Sequence, residues 1–102
     1  RYPIDLRVRQ EGIDLVKPVV RDCYRQLKQR KPNITGRIIV EFDVAVSGGT
    51  ARIENAAIPV NVKLEDQTFE SCILSGMEGQ SFPSGDDGTM HVRFPFVFDI
   101  EE

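Results

Sequence analysis

The sequence predicts an α+β fold in which two helices cover one face of a three-stranded antiparallel or mixed sheet, as a two-layer sandwich. In two segments apolar residues recur at spacings of three and four, which is typical of amphipathic helices. In two others apolar and polar residues alternate, which is typical of half-buried strands. The chain has 102 residues, enough for one hydrophobic core, so we expect a single domain over residues 1–102.

The first helix is expected from Ile13 to Leu27, and Lys31-Pro32-Asn33 follows it as a stop signal. Pro18 lies inside this segment, so we expect either a kink there or a helix that begins close to it. The apolar face carries Ile13, Val16, Val20, Cys23, Tyr24 and Leu27. The opposite face carries four basic residues, which we call the basic stripe: Lys17, Arg21, Arg25 and Lys28.

The next two elements form a predicted hairpin. Residues from Arg37 to Val46 alternate cleanly between apolar and polar, and Ser47-Gly48-Gly49 supplies the positive-φ residues of a tight turn. A second, less regular strand is expected from Thr50 to about Ile58, and Pro59 is expected to help end it.

A second helix and a last strand complete the pattern. The helix is expected from about Leu64 to Met77, with Cys72 on its apolar face. A turn-rich stretch, Ser81 to Gly88, separates it from a strongly alternating strand, Met90 to Phe98. We expect this strand to lie beside the first, which would be central, and to form an edge, because Pro95 removes a ladder donor and is tolerated mainly there.

Charge and composition argue against several classes of function. The net charge is -3 and the pI is about 5.2, whereas general nucleic-acid binding requires a basic surface. We find neither a signal peptide nor an apolar run that could insert into a bilayer. Because the sequence opens with Arg1, we expect a fragment of a longer protein whose membrane anchor, if any, lies upstream.

No residue set predicts catalysis or a metal or cofactor site. Cys23 and Cys72 are 49 positions apart and form no CxxC pair, so they are two buried reduced thiols or a disulfide pair. His91 is the only histidine, and its place in an alternating strand predicts an exposed side chain. We therefore predict that the chain is not an enzyme and has no catalytic, cofactor-binding or metal-binding residues.

Two surfaces are candidate binding sites. The outer edge and exposed face of the last strand, with His91, Arg93, Pro95 and Val97, could accept an extended peptide as an added strand, or this could be an edge that Pro95 protects from pairing. The basic stripe could contact an anionic layer or an acidic partner, or it could be a solvated helix face. A homodimer is left open.

Several short runs resemble the TonB C-terminal family. They are Cys23-Tyr24, Asn33-Ile34-Thr35-Gly36-Arg37-Ile38-Ile39-Val40, Phe42-Asp43-Val44 and Gly48-Gly49. Later runs resemble its cysteine-bearing subgroup, the AgmX/PglI C-terminal domain: Phe69-Glu70-Ser71-Cys72-Ile73, Ser81-Phe82-Pro83 and the stretch from Val92 to Phe98. The similarity covers roughly residues 13–98, which we take as the core of the domain.

This resemblance implies a periplasmic module of an inner-membrane-anchored protein that transmits force or position between envelope layers. The partner would be a segment of an envelope or outer-membrane protein, in transport or gliding motility. In that oxidising compartment the resemblance favours a disulfide between Cys23 and Cys72. Two alternatives are a structural module that docks on an anionic layer through the basic stripe without recognising any peptide and, ranked lower, a redox-active thiol pair.

Overall fold

The computed structural model describes residues 6–85 and 87–99. The elements are α1 (Leu6–Arg30), β1 (Gly36–Ser47), β2 (Thr50–Val62), α2 (Gln67–Met77), β3 (Ser81–Pro83) and β4 (Gly88–Phe98). The strands form an antiparallel sheet of order β3-β2-β1-β4. The predicted α+β class is therefore confirmed, and so is the central position of β1.

The predicted number of strands is wrong, because the sheet has a fourth strand. Residues 81–83, which were expected to belong to a turn-rich stretch, pair with the start of β2 as β3. A second contact supports this short strand, since the backbone N–H of Ser84 donates to the carbonyl of Gly49. Asp86, in the same stretch, lies outside the described residues.

Helix α1 is longer than expected. It begins at Leu6 and continues through Pro18, so a start near Pro18 is wrong. Its inward face extends upstream of the predicted segment, where Val8 and Gly12 are buried. Burial of this additional face stabilises the turns before Pro18, although the proline lacks the N–H that would bond to the preceding turn.

Strand β1 contributes most of the sheet's share of the core. Its alternation is as predicted, and Ile38, Val40, Phe42, Val44 and Val46 are buried on one face. They join one hydrophobic cluster with residues of both helices, β2 and β4. The helices and the sheet therefore enclose a single core.

Strand β2 is irregular and continues to Val62, so the prediction that Pro59 helps to end it is wrong. Its pairing with β1 shifts register twice, near Pro59 and near Asn55, where β2 carries an extra residue each time. Asn55 has a positive φ of 57°. Such bulges accommodate a proline without a ladder donor. The carboxylate of Glu78 accepts the backbone N–H groups of Asn55 and Ala56 at the second bulge.

Helix α2 packs beside α1. Its N-cap is Asp66, whose side chain accepts the backbone N–H of Phe69, and Leu64 is buried just before the helix. One turn after Cys72, Gly76 faces Val19 of α1 so closely that a Cβ there would lie 2.6 Å from a methyl of Val19. The small residue allows the two helices to approach at this point.

Candidate functional site

The edge strand β4 pairs with β1 in an unbroken register, from Gly36 opposite Phe98 to Val46 opposite Gly88. The other side of β4 pairs with no strand among the described residues. The predicted edge position is therefore correct. Such an edge presents unpaired backbone donors and acceptors that can bind an added strand.

The β1–β2 hairpin determines which backbone groups of β4 point outward. Ile53, opposite Val44, exchanges backbone hydrogen bonds with Gly79 and Gln80 rather than with β1. Ile53 and Val44 are therefore a non-hydrogen-bonded pair, and the backbone groups of Val44 point away from β2, toward β4. Because this direction alternates along a strand, the other even-numbered residues of β1 also bond to β4. Their partners in β4 are also even-numbered. The odd-numbered backbone groups therefore form the outer row: Thr89, His91, Arg93, Pro95 and Val97.

Pro95 fits this outer row. A proline there removes a donor from the open edge and none from the ladder with β1. The carbonyl oxygen of Arg93, in the same row, lies 3.5 Å from Nη2 of Arg9 on α1. The outer row therefore has N–H groups at four positions and carbonyl oxygens at five, and the carbonyl of Arg93 already accepts a hydrogen bond from Arg9.

The side chains of β4 lie on two different faces. Phe94, Phe96 and Phe98 point toward the helices and are half-buried, with ring centroids 5.3 and 6.4 Å apart along the row. Val97 lies on the opposite face and is 66% exposed. Tyr24 of α1 stacks on Phe98 with centroids 4.1 Å apart and donates its hydroxyl to the carbonyl of Ile34. Burial, together with the charge of Asp99, raises the pKa of Tyr24.

The structure brings the basic stripe and the β4 edge together. Nζ of Lys17 lies 5.6 Å from the ring centroid of Phe94, and Nζ of Lys28 lies 5.6 Å from that of Tyr24. Between the two elements runs an open groove of about 580 Å³, lined by Arg21, Tyr24, Arg25, Lys28, Val97, Phe98 and Asp99. The basic stripe and the end of the β4 edge, which were predicted as separate candidate surfaces, therefore adjoin along this groove.

On the opposite face of the sheet, His91 and Arg93 are already paired. Nδ1 of His91 lies 2.7 Å from Oδ1 of Asp43, and Nη1 of Arg93 lies 2.9 Å from Oε2 of Glu41. The hydrogen bond to Asp43 raises the pKa of His91 above its ordinary value. The amide of Asn55 and then the imidazole of His91 lower the pKa of Asp43. His91 is exposed, as predicted.

The cysteine pair lies at disulfide-bonding distance. The Sγ atoms of Cys23 and Cys72 are 2.08 Å apart, and their Cα atoms are 5.8 Å apart, within the range that a disulfide spans. Cys23 is buried on α1 and Cys72 is partly buried on α2. The bond would join α1, which carries the basic stripe, to α2, which contributes Phe69, Ile73 and Met77 to the core.

Sequence reasoning missed the aromatic part of the groove. Tyr24 was predicted to lie on the apolar face of the first helix, and the structure places it half-buried and stacked on Phe98 in the wall of the groove. A signal was present, because Tyr24 falls between Arg21 and Lys28 at helical spacings of three and four. Tyr24 therefore borders the basic stripe along α1.

Within residues 6–85 and 87–99, no three His, Cys, Asp or Glu side chains are grouped so that they could hold a metal ion. Neither helix in the described part of the chain is both long and apolar enough to cross a bilayer. Comparison of the chain with protein-family models, with curated proteins and with solved structures gave no significant match.

Proposed function

We propose that this chain is a protein–protein interaction module of the cell envelope, TonB-like in its role, that binds an extended partner segment as a strand added to β4. The observation that supports this proposal best is the outer row of β4, whose backbone groups pair with no strand in the described chain. Added strands gain affinity from main-chain hydrogen bonds and specificity from alternate side-chain contacts.

The proposed compartment is the periplasm, with the module carried by an inner-membrane-anchored protein. The resemblance of the sequence to the AgmX/PglI C-terminal subgroup favours this location. The cysteine pair at bonding distance is compatible with an oxidising compartment. The partner would be a segment of an envelope or outer-membrane protein, and the role would be to transmit force or position between the two membranes.

A second candidate function is docking on an anionic layer through the basic stripe. It is favoured by the exposure of Arg21 and Lys28, which form no ion pair with another described residue. An aromatic groove and an open strand edge beside the stripe have no role in this alternative, whereas an added strand would contact all three. The peptide-binding function therefore accounts for more of the site.

Substitution of Val97 tests the added strand directly. Val97→Pro removes one outward N–H without removing a bond to β1, because Val97 belongs to the outer row. Val97→Thr changes the side chain, retains the N–H and is the matched control. A photoreactive residue at this position would first identify the cross-linked partner segment, which is then synthesised as a peptide.

We expect the synthetic segment to slow hydrogen exchange at His91, Arg93 and Val97 in the native domain. Its affinity should fall about fivefold or more in Val97→Pro and stay within about twofold in Val97→Thr, since one main-chain hydrogen bond contributes roughly 1 kcal/mol. Equal binding to both variants, with NMR shifts confined to α1, would reject strand addition and favour the anionic-layer function.

A further inference from the structure

We infer that the segment bound at β4 is acidic, with Asp or Glu at alternate positions whose carboxylates contact the basic stripe of α1. This inference rests on the proposed function and specifies the chemistry of its partner. It depends on how α1 runs along the open edge, on the three charges of the stripe that form no ion pair with another described residue, and on the ion pairs already present on the other face of the sheet.

Helix α1 and strand β4 run in the same direction along the edge. Three contacts show this: Arg9 with Arg93, Lys17 with Phe94, and Tyr24 with Phe98. From one contact to the next, the residue numbers rise in both the helix and the strand. The helix therefore flanks any strand added to β4 over several residues. From Lys17 to Lys28 the helix rises about 16 Å, which is the length of about five residues of an extended strand.

The spacing of the stripe matches that of an extended segment. Lys17, Arg21 and Arg25 follow one another at intervals of four residues, a rise of about 6 Å per step along the helix. Side chains on one face of a strand recur every two residues, about 6.6 Å apart. Carboxylates at alternate positions of an added strand can therefore follow the stripe without losing register.

An added strand would place one set of its side chains beside this stripe. It would lie about 4.8 Å beyond β4. In antiparallel pairing, its residues opposite Phe94 and Phe96 would be in non-hydrogen-bonded pairs, where side chains approach most closely. Nζ of Lys17 is 5.6 Å from the ring centroid of Phe94. A glutamate opposite Phe94 is thus within reach of the ammonium group of Lys17.

Three of the four charges of the stripe form no ion pair within the described chain, so they can bind an acidic partner. Arg25 pairs with Asp22, but Lys17, Arg21 and Lys28 form no ion pair with any carboxylate in the described ranges. Of the residues that line the groove, three are cationic and only Asp99 is acidic. Because the whole chain has a net charge of -3, this positive surface is a local feature of an acidic protein.

The opposite face of the sheet offers no comparable attraction, because Arg93 is paired with Glu41 and His91 with Asp43. A second copy of this chain is also a poor occupant. Antiparallel pairing of two β4 edges would bring the two basic stripes side by side on the same face, where like charges repel. The partner that complements this edge is an acidic segment of another protein.

Three capped nonapeptides test this inference, in which Thr alternates with Glu, with Gln or with Lys. Each is titrated into the ¹⁵N-labelled chain at low salt, and the β4 amide shifts report affinity. We expect the Glu peptide to bind at least fivefold more tightly than the Gln peptide, the Lys peptide to bind most weakly, and the Glu advantage to disappear in 0.5 M salt. The double variant Arg21→Glu/Lys28→Glu should reduce the Glu peptide to the affinity of the Gln peptide.

A matched control reverses two charges away from the edge, Arg52→Glu/Lys63→Glu, and should leave the Glu peptide within about twofold of its native affinity. Equal binding of all three peptides at β4 would reject the acidic preference and leave the proposed function intact. Shifts confined to α1 would reject strand addition itself.

Two further measurements exclude the other occupants. Binding of the stripe to phosphatidylglycerol vesicles, with no β4 response to any peptide, would assign the surface to lipid and overturn the inference. Sedimentation that shows a dimer, together with concentration-dependent β4 shifts without peptide, would assign the edge to a second copy. We expect a monomer under these conditions and no vesicle binding that competes with the Glu peptide.

Discussion

The imidazole of His91 lies between two carboxylates of β1, with Nδ1 2.7 Å from Asp43 and Nε2 3.6 Å from Glu41. Both partners favour the protonated ring, and the pKa of His91 is raised, chiefly by the hydrogen bond to Asp43. The contribution of this pair to stability is therefore fully present below the ordinary imidazole pKa and is lost as the pH rises through the raised pKa. At the acidic limit it is lost as the pH falls through the lowered pKa of Asp43.

Asp43→Asn should lower the pKa of His91 toward its ordinary range, because the variant removes the nearer negative charge and leaves only Glu41. The chain has one histidine, so a single imidazole resonance reports the titration by NMR. Asp22→Asn, which removes a carboxylate paired with Arg25 on α1, is the control and should leave the titration midpoint unchanged. If Asp43→Asn leaves the midpoint of His91 where it was, the hydrogen bond does not control the protonation of the ring.

At the scale of single elements, the helix pair depends on one close contact. A Cβ on Gly76 would lie 2.6 Å from Cγ1 of Val19. Alanine would improve helix propensity by about 1 kcal/mol, but overpacking costs about 1–3 kcal/mol, and Val19 has little rotamer freedom in a helix. We expect Gly76→Ala to lower the free energy of unfolding by about 1 kcal/mol in urea denaturation.

Two further variants separate overpacking from other causes. Val19→Ala/Gly76→Ala should be more stable than the sum of the single changes predicts, because the smaller side chain makes room for the new methyl group. Gly85→Ala is the matched control, since a Cβ there meets nothing within 4 Å, and its effect should be within about 0.5 kcal/mol. Additive effects in the double variant would show that contact with Val19 is not the cause.

The elements that sequence patterns predicted well are those with regular periodicity. Strands β1 and β4 alternate along their length, and α1 repeats at helical spacing from Ile13 onward. In β2 the two bulges reverse the alternation, so its true end at Val62 could not be read from periodicity. Strand β3 has three residues, too few for any period, and forms because the turn after α2 brings it beside β2.

The candidate site was predicted in its parts but not as a unit. Charge spacing identified the basic stripe, and Pro95 identified an edge strand. That α1 flanks this edge, with Lys17 over Phe94, depends on which side of the sheet each helix covers. Helix periodicity identifies the apolar face of a helix, but it does not say which strands that face covers. A helix above β1 and β4 and a helix above β2 would have the same sequence pattern, so this arrangement depends on tertiary packing.

At the scale of the whole molecule, the fold is long and thin. Its principal extents are 47 × 22 × 20 Å, and its longest dimension is comparable to the length of strands of 11–13 residues at about 3.3 Å each. One layer of side chains separates the helices from the sheet, and 18 hydrophobic residues are buried there among those the structure describes. A core of this size leaves a small margin of stability, so a covalent link between α1 and α2 contributes a large share.

The bond between Cys23 and Cys72 closes a loop that contains the whole β1–β2 hairpin. For a sequence separation of 49, restriction of the unfolded chain contributes about 4 kcal/mol in the chain-entropy model. We expect reductant to lower the free energy of unfolding by about that amount in urea denaturation, and Cys23→Ala/Cys72→Ala to lose at least as much and to be insensitive to reductant. The outcome that would contradict this prediction is a chain that is oxidised when isolated and has the same urea midpoint of unfolding before and after reduction. Hydrophobic packing alone would then hold α2 against α1.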